Sequence, residues 1–157
     1  MSHHPPVTAI HAESDSYIYS CDTDAKINFN GTYVKALPLG PQIIRLKKSG
    51  DVYSIIRPST FINNILFGTM YLEQVGIMKV ENVKTGIICN LEFKAEGWGG
   101  RNKHDVSGYI YKNEEAMKKK DKSNSYFLYG KYSEFLNAWR TDEKGAHPDP
   151  LTATPDI

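Results

Sequence analysis

The sequence predicts an all-β protein, built as an antiparallel meander that forms a sandwich or the wall of a barrel. Short apolar runs are separated by glycine-containing turn signals, which is typical of hairpin-connected strands. Within the runs, apolar and polar residues alternate with a period close to two. Ten tyrosines add to this pattern, because aromatic side chains suit half-buried sheet surfaces.

Four glycine positions predict the turns. Asn30-Gly31 stands between two apolar runs and is the strongest hairpin signal in the chain. The same arrangement, a glycine between two apolar runs, occurs at Ser49-Gly50-Asp51, Gly76 and Gly86. Glycine adopts a positive φ at little steric cost, so a turn is predicted at each of the four.

The alternation is clearest in residues 87–94, with similar patterns in residues 105–112 and 125–132. In the first of these strands the predicted apolar face consists of Ile87, Cys89, Leu91 and Phe93. The opposite face, formed by Ile88, Asn90, Glu92 and Lys94, is mostly polar and is predicted to face away from the core.

Two segments do not have a strand pattern. Residues 112–125 are charged and polar, which predicts a solvated loop or a frayed helical turn. The lysines of this loop leave a second interpretation open, contact with an anionic membrane. Residues 141–157 contain three prolines and few apolar residues, so we expect an extended or disordered tail after a domain spanning residues 1–140.

Composition excludes several classes of protein. A chain of 157 residues is enough for one domain, and a net charge of +1 argues against a dedicated nucleic-acid binder. No apolar run is long enough for a transmembrane helix, and the N-terminus does not resemble a secretory signal. Cys21 and Cys89 lack metal-pair spacing and stand among apolar or β-prone residues, so we expect buried free thiols in a reducing cytoplasm.

Catalytic and metal-binding motifs do not stand out. His11, His104 and His147 are too scattered to predict a metal site. The sequence has no nucleophile elbow, glycine-rich phosphate loop or HExxH motif. We therefore expect no enzymatic activity, no catalytic residues and no cofactor.

The most unusual local sequence is Ser2-His3-His4-Pro5-Pro6. The prolines fix φ and keep His4 out of the helical region, so the histidines lie on a stiff, extended stretch. Two imidazoles near neutral pH become cationic donors when an anion such as a phosphate monoester approaches. Because adjacent residues of a flat strand point to opposite faces, both rings reach one phosphate only if the strand twists or ends there. From the residues alone, an anion site and a merely structural turn both remain open.

This segment, followed by Val7-Thr8-Ala9, resembles the fingerprint of the oxysterol-binding protein family. Further similarity follows in family order and covers roughly residues 2–140. The matching stretches are Asn64-Ile65-Leu66-Phe67-Gly68-Thr69-Met70, Thr85-Gly86, Leu91-Glu92-Phe93-Lys94, Gly97-Trp98-Gly99-Gly100 and Ser107-Gly108-Tyr109-Ile110-Tyr111. Within them, we expect residues 97–100 to form a wide turn with Trp98 packed beneath it.

The resemblance implies a lipid-binding domain in which a large incomplete β-barrel surrounds a tunnel. By this resemblance the ligand is a sterol or a phospholipid, namely phosphatidylinositol 4-phosphate, whose headgroup phosphate is bound by His3 and His4. The implied activity is lipid transport between membranes, including membrane contact sites, by a cytoplasmic protein that is peripheral to anionic membrane surfaces.

The chain departs from the family pattern at its start, where Met1 takes the place of the valine of a preceding Glu-Gln-Val. The resemblance therefore implies a partial domain that is not expected to transfer lipid alone. A part-barrel leaves sheet edges uncovered, so we expect a homo-oligomer through an exposed edge. The alternative is a β-rich interaction module that has lost ligand binding.

Overall fold

Residues 1–4, 7–146 and 149–151 are described by a computed structural model, and they form one antiparallel sheet of thirteen strands with a single short α-helix. The strands are β1 (Ser2–His4), β2 (Val7–Glu13), β3 (Tyr17–Phe29), β4 (Tyr33–Leu39), β5 (Gln42–Leu46), β6 (Val52–Ile56), β7 (Ser59–Asn63), β8 (Tyr71–Asn82), β9 (Ile88–Phe93), β10 (Asp105–Tyr111), β11 (Tyr126–Lys131), β12 (Phe135–Arg140) and β13 (Asp149–Leu151). The helix α1 is Glu114–Lys119, and a 3-10 turn spans Trp98–Gly100.

Two long strands divide the sheet into branches, because each of them pairs with different partners along its length. The first part of β3 pairs with β5 and its last six residues pair with β4. The first part of β8 pairs with β7 and its last residues pair with β6. Since β4 also pairs with β7, and β5 with β6, two routes connect β3 to β8. The hydrogen-bonded path ends at β1 and β13, so the predicted antiparallel meander in an incomplete barrel is confirmed.

Three of the four predicted turns are confirmed. Gly31, Gly50 and Gly86 lie between consecutive strands, with φ of 65°, 70° and 74°. The prediction at Gly76 is wrong, because this residue lies inside β8 with φ of 114°. Residues before Gly76 pair with β7, whereas Gly76 and those after it pair with β9. Its positive φ therefore coincides with a change of partner within one strand rather than with a chain reversal.

The hydrophobic core lies in the wing formed by β8 to β12. Leu91, Val106 and Leu128 are its buried centre, and Met78 and Phe93 pack against them. This agrees with the predicted apolar face at Cys89, Leu91 and Phe93, whereas Ile87 precedes β9 and is 44% exposed.

Ile88 departs from that pattern, because it is fully buried although it lies on the predicted polar face. It pairs with Tyr111, which is also buried, and α1 packs against the strand of Tyr111. Burial therefore extends to the second face of the sheet at this position.

The loop of residues 112–125 contains α1, which matches the helical turn predicted as one of two options. Asn113 begins the helix, since its side chain accepts a hydrogen bond from the backbone N–H of Ala116 at 2.9 Å. After β12, Asp149–Leu151 returns as β13, antiparallel to β12. Residues 147, 148 and 152–157 lie outside the described residues, and the boundary at residue 140 stays a prediction.

The register places the turns at two opposite ends of the sheet. We call one the tryptophan end; its turns are residues 30–32, 64–70, 94–104 and 132–134. We call the other the lysine end; its turns are residues 14–16, 47–51, 83–87 and 112–125. β1 ends and β2 begins on the side facing the tryptophan end. Within the described residues, no helix is long and apolar enough to cross a membrane.

Candidate functional site

A cavity of about 510 Å³ lies where the two halves of β3 and β8 diverge. Its volume is within the range of small-molecule sites in proteins. Its lining is mainly apolar, with a few polar groups, and consists of Ala25, Ala36, Pro38, Gln42, Arg57, Pro58, Thr60, Gln74, Met78 and Phe93. This composition suits an apolar ligand that carries one polar end.

A larger hollow of about 690 Å³ lies at the lysine end, but four of its five lining residues, Asp15, Ser16, Lys48 and Ser49, are polar or charged. Burial of an apolar ligand depends on the apolar area removed from water, so this hollow is a poorer candidate. We therefore take the cavity between β3 and β8 as the candidate site.

Arg57 provides a permanent cation in the lining of the candidate cavity. Thr60 is also present, and its hydroxyl donates to Gln74 Oε1 at 3.2 Å. Burial raises the pKa of the nearby Tyr19 hydroxyl, and the Cys21 side chain raises it further, while the positive charge of Arg57 opposes this shift. A guanidinium among apolar neighbours can hold the anionic or strongly polar end of an amphiphile.

The histidine pair occupies the first strand. The backbone of His3 pairs with Thr8 and that of His4 with Val7, so both lie in β1 beside β2. The two imidazole rings and residues 5 and 6 lie outside the described part of the chain. Headgroup binding by His3 and His4 therefore stays a prediction.

The cysteines are free, as predicted, with Cys21 buried and Cys89 partly buried. Burial raises the pKa of the Cys89 thiol to about 11, so it is a poor nucleophile near neutral pH. Among the residues described, no three His, Cys, Asp or Glu side chains converge as metal ligands.

The lysine-rich loop is largely neutralised by its own residues. Lys118 pairs with Glu114 at 3.0 Å and Lys119 with Glu115 at 2.6 Å, both one helical turn apart. Lys112 Nζ lies 3.8 Å from Asp121 Oδ2, and Lys122 Nζ lies 4.3 Å from the centre of the Tyr109 ring. These contacts favour a solvated surface loop over a loop that contacts an anionic membrane.

Trp98 contradicts its sequence-based prediction, because it is 99% exposed instead of packed beneath its turn. The turn lies between β9 and β10, and Gly99 and Gly100 both have positive φ. The Gly97 N–H donates to the Arg101 carbonyl at 2.7 Å and the Gly100 N–H donates to the Gly97 carbonyl at 3.2 Å, so the turn is closed by its own backbone and needs no apolar packing beneath it. The sequence signal that could have indicated exposure is the absence of any apolar neighbour in residues 96–105 other than Trp98 itself.

The sequence did not identify Arg57 as a residue of the candidate site. Arg57 follows the apolar strand β6 directly and precedes Pro58, a combination that predicts only a strand end. Its place in a cavity depends on β3, β4 and β8, none of which is adjacent to Arg57 in the sequence. Only the three-dimensional structure brings it together with Gln42 and Gln74.

A sequence model of the family described as "Oxysterol-binding protein" matches residues 1–154 of this chain. The chain belongs to the oxysterol-binding protein family. Oxysterol-binding protein-related protein 3B of Arabidopsis thaliana is 32% identical over 98% of the chain, and oxysterol-binding protein-related protein 1 of Homo sapiens is 36% identical over 87% of it. The chain spans 31% and 14% of the lengths of these two relatives.

Solved structures of oxysterol-binding proteins share the fold. The Osh1 ORD domain in complex with ergosterol superposes with a TM-score of 0.73 and 23% identity, covering 98% of this chain and 35% of that one. The Osh3 ORD in complex with PI(4)P from Saccharomyces cerevisiae superposes with a TM-score of 0.69 and 20% identity. That match covers 93% of this chain and 42% of the Osh3 chain. At these identities the comparison establishes the architecture.

Proposed function

We propose that this chain forms part of a site that binds a sterol or phosphatidylinositol 4-phosphate, within a protein that transfers lipid between membranes. Family membership and the mainly apolar 510 Å³ cavity support the proposal, and the cavity is the observation that carries it. Two solved relatives hold ergosterol and PI(4)P. The proposal assigns no catalytic step to the chain.

His3 and His4 are proposed to bind the headgroup phosphate. They end β1 just before β2 begins, and a strand end is where neighbouring side chains can turn toward one ligand. Protonated imidazoles that donate to a phosphate form charge-assisted hydrogen bonds, which are stronger than neutral ones. The cytoplasmic, membrane-peripheral location and a homo-oligomer formed through a sheet edge are part of the same proposal. The chain by itself is not expected to transfer lipid.

The headgroup assignment is tested by calorimetric titration with short-chain, water-soluble phosphatidylinositol 4-phosphate, with short-chain phosphatidylinositol as the ligand that lacks the 4-phosphate. Replacing both residues, His3→Ala with His4→Ala, should weaken binding of the phosphorylated ligand by about tenfold to a hundredfold, because charged hydrogen bonds are lost. The matched control is His11→Ala, an exposed histidine of β2, which should change nothing. Equal losses in the control, or equal affinity for both lipids, would contradict the assignment.

The cavity is tested independently with a fluorescent sterol. Ala36→Phe places a ring in the cavity lining and should abolish sterol binding, because the apolar volume is filled. Ala12→Phe, on an exposed position of β2, is the matched control. If the unmodified chain binds neither lipid but forms a defined oligomer in light scattering, the interaction module becomes the better description.

A further inference from the structure

The tryptophan end carries exposed apolar side chains at the tips of two turns. Trp98 is 99% exposed at the tip of residues 94–104, and Phe67 is 85% exposed at the tip of residues 64–70. Side chains on a strand face can be covered by another layer of the same fold. A side chain at a turn tip projects past the end of the strands, so its natural partner lies beyond the sheet.

The two turns are connected by one buried carboxylate. Glu73, near the start of β8, accepts a hydrogen bond from the backbone N–H of Glu96 and another from Asn63 Nδ2 at 3.3 Å. Asn64 Nδ2 also donates to the carbonyl of Thr69 at 3.1 Å, which closes the first turn on itself. Phe67 and Trp98 are therefore presented by supported backbone at the same end of the sheet.

Cations flank Trp98 in the sequence of its turn. Lys94, Arg101 and Lys103 are exposed, and none of them forms an ion pair within the described residues. Glu96 is the single carboxylate of residues 94–104. An exposed tryptophan with free cations beside it matches a bilayer interface, where the indole ring sits at headgroup level and basic residues meet anionic lipids.

We infer that the tryptophan end docks on an anionic lipid bilayer. Trp98 and Phe67 enter the interface, and the three neighbouring cations contact the headgroups. The inference deepens the proposed function, on which it rests, because it names the membrane-facing surface of a chain proposed to exchange lipid with membranes. The end of β1, where His4 is followed by β2, faces the same end of the sheet.

The experiment uses vesicles of phosphatidylcholine and phosphatidylglycerol in roughly a four-to-one ratio, which supply negative charge without sterol or phosphoinositide. Trp139→Phe leaves Trp98 as the only tryptophan of the 157-residue chain. Its emission should shift to the blue on adding vesicles and be quenched by brominated lipid, because the indole leaves water. An unshifted emission would overturn the inference.

Charge is tested by co-sedimentation with the same vesicles in about 0.1 M salt, where the screening length is about 10 Å. Arg101→Ala with Lys103→Ala should lower the partition constant by about fivefold for each charge removed. The matched control, Lys118→Ala with Lys119→Ala, removes the same net charge from the lysine end and should change it by less than about twofold, since those charges lie beyond the screening length. An equal loss in the control would overturn the inference.

Two further outcomes separate the inference from its rivals. A blue-shifted Trp98 emission that depends on protein concentration without vesicles would show that a second copy covers the patch, which overturns docking on a bilayer. The vesicles contain neither proposed cavity ligand, whereas the short-chain lipid titration contains no bilayer. Failure of membrane docking and failure of ligand binding are therefore observed in different experiments.

Discussion

The turns of the lysine end carry eight lysines and those of the tryptophan end only two lysines and one arginine, and the two ends use this positive charge differently. At the lysine end, four of the five lysines in residues 112–125 have a carboxylate or an aromatic ring within the described residues as partner. At the tryptophan end, the cations around Trp98 are exposed without an ion pair in the described residues. The number of lysines in a segment therefore does not show how much charge is available to a partner. At the lysine end, each Glu that stands four residues before a Lys pairs with it and neutralises its charge.

Burial divides the two ends in the same way. The lysine end contains two of the most buried side chains described, Ile88 and Thr141. The tryptophan end contains the most exposed aromatic side chains described, Trp98 and Phe67. The lysine end therefore has buried side chains next to its turns, whereas the turn tips of the tryptophan end expose aromatic side chains that are free to meet a partner.

The largest expected difference is in stability. Ile88→Ala should lower the free energy of unfolding by about 2–5 kcal/mol, because it leaves a cavity at a fully buried site. Trp98→Ala removes a larger side chain but should change the free energy of unfolding by less than about 0.5 kcal/mol, since the Trp98 side chain is exposed. Urea unfolding followed by far-ultraviolet circular dichroism measures both. A cost for Trp98→Ala as large as that for Ile88→Ala would break the comparison.

A smaller effect is expected at Thr141, which is 2% exposed. Its hydroxyl accepts a hydrogen bond from the N–H of Ser125 at 2.8 Å and lies 2.6 Å from the carbonyl of Lys122. Thr141→Val keeps the shape but leaves these buried backbone groups without their partner, and should cost about 1–3 kcal/mol. The matched control is Thr69→Val, an exposed threonine of the tryptophan end, which should be neutral in the same urea titration. Similar midpoints for the two variants would contradict the assignment of the lysine end as structural.

Much of the fold could be predicted because its signals are local. The hairpin at Asn30-Gly31 needs only two residues in the right conformation, and the alternation in β9 needs only a single strand. Gly76 shows the limit of such signals. A glycine with positive φ serves a turn or a bend within a strand, and only the partners of β8 distinguish them.

The candidate site was less predictable because its geometry is not local. The histidine pair was identified from a family fingerprint, and the rings stay outside the described residues. The cavity with Arg57 depends on strands that meet only after folding. Trp98 was predicted to be packed because most aromatic residues are, whereas the direction of this turn is set by its flanking glycines.

The smallest expected effect is a local response to pH at the lysine end. Hydrogen bonds from Ser123, with a weaker contribution from the charge of Lys112, hold the pKa of the Asp121 carboxyl below its ordinary value. A lowered pKa means that the folded loop favours the charged carboxylate. This support is present above the pKa of an unfolded aspartate and is lost as pH falls through the lower, folded value.

Nuclear magnetic resonance of the Ser123 amide measures this response, because that N–H donates to Asp121 Oδ1 at 3.0 Å. Its chemical shift should titrate below the pH range of an ordinary aspartate, and Asp121→Asn should remove the transition. A Ser123 transition at or above the ordinary range would mean that the charged carboxylate is not favoured, and the lysine end would then lack one of the contacts that make it self-contained.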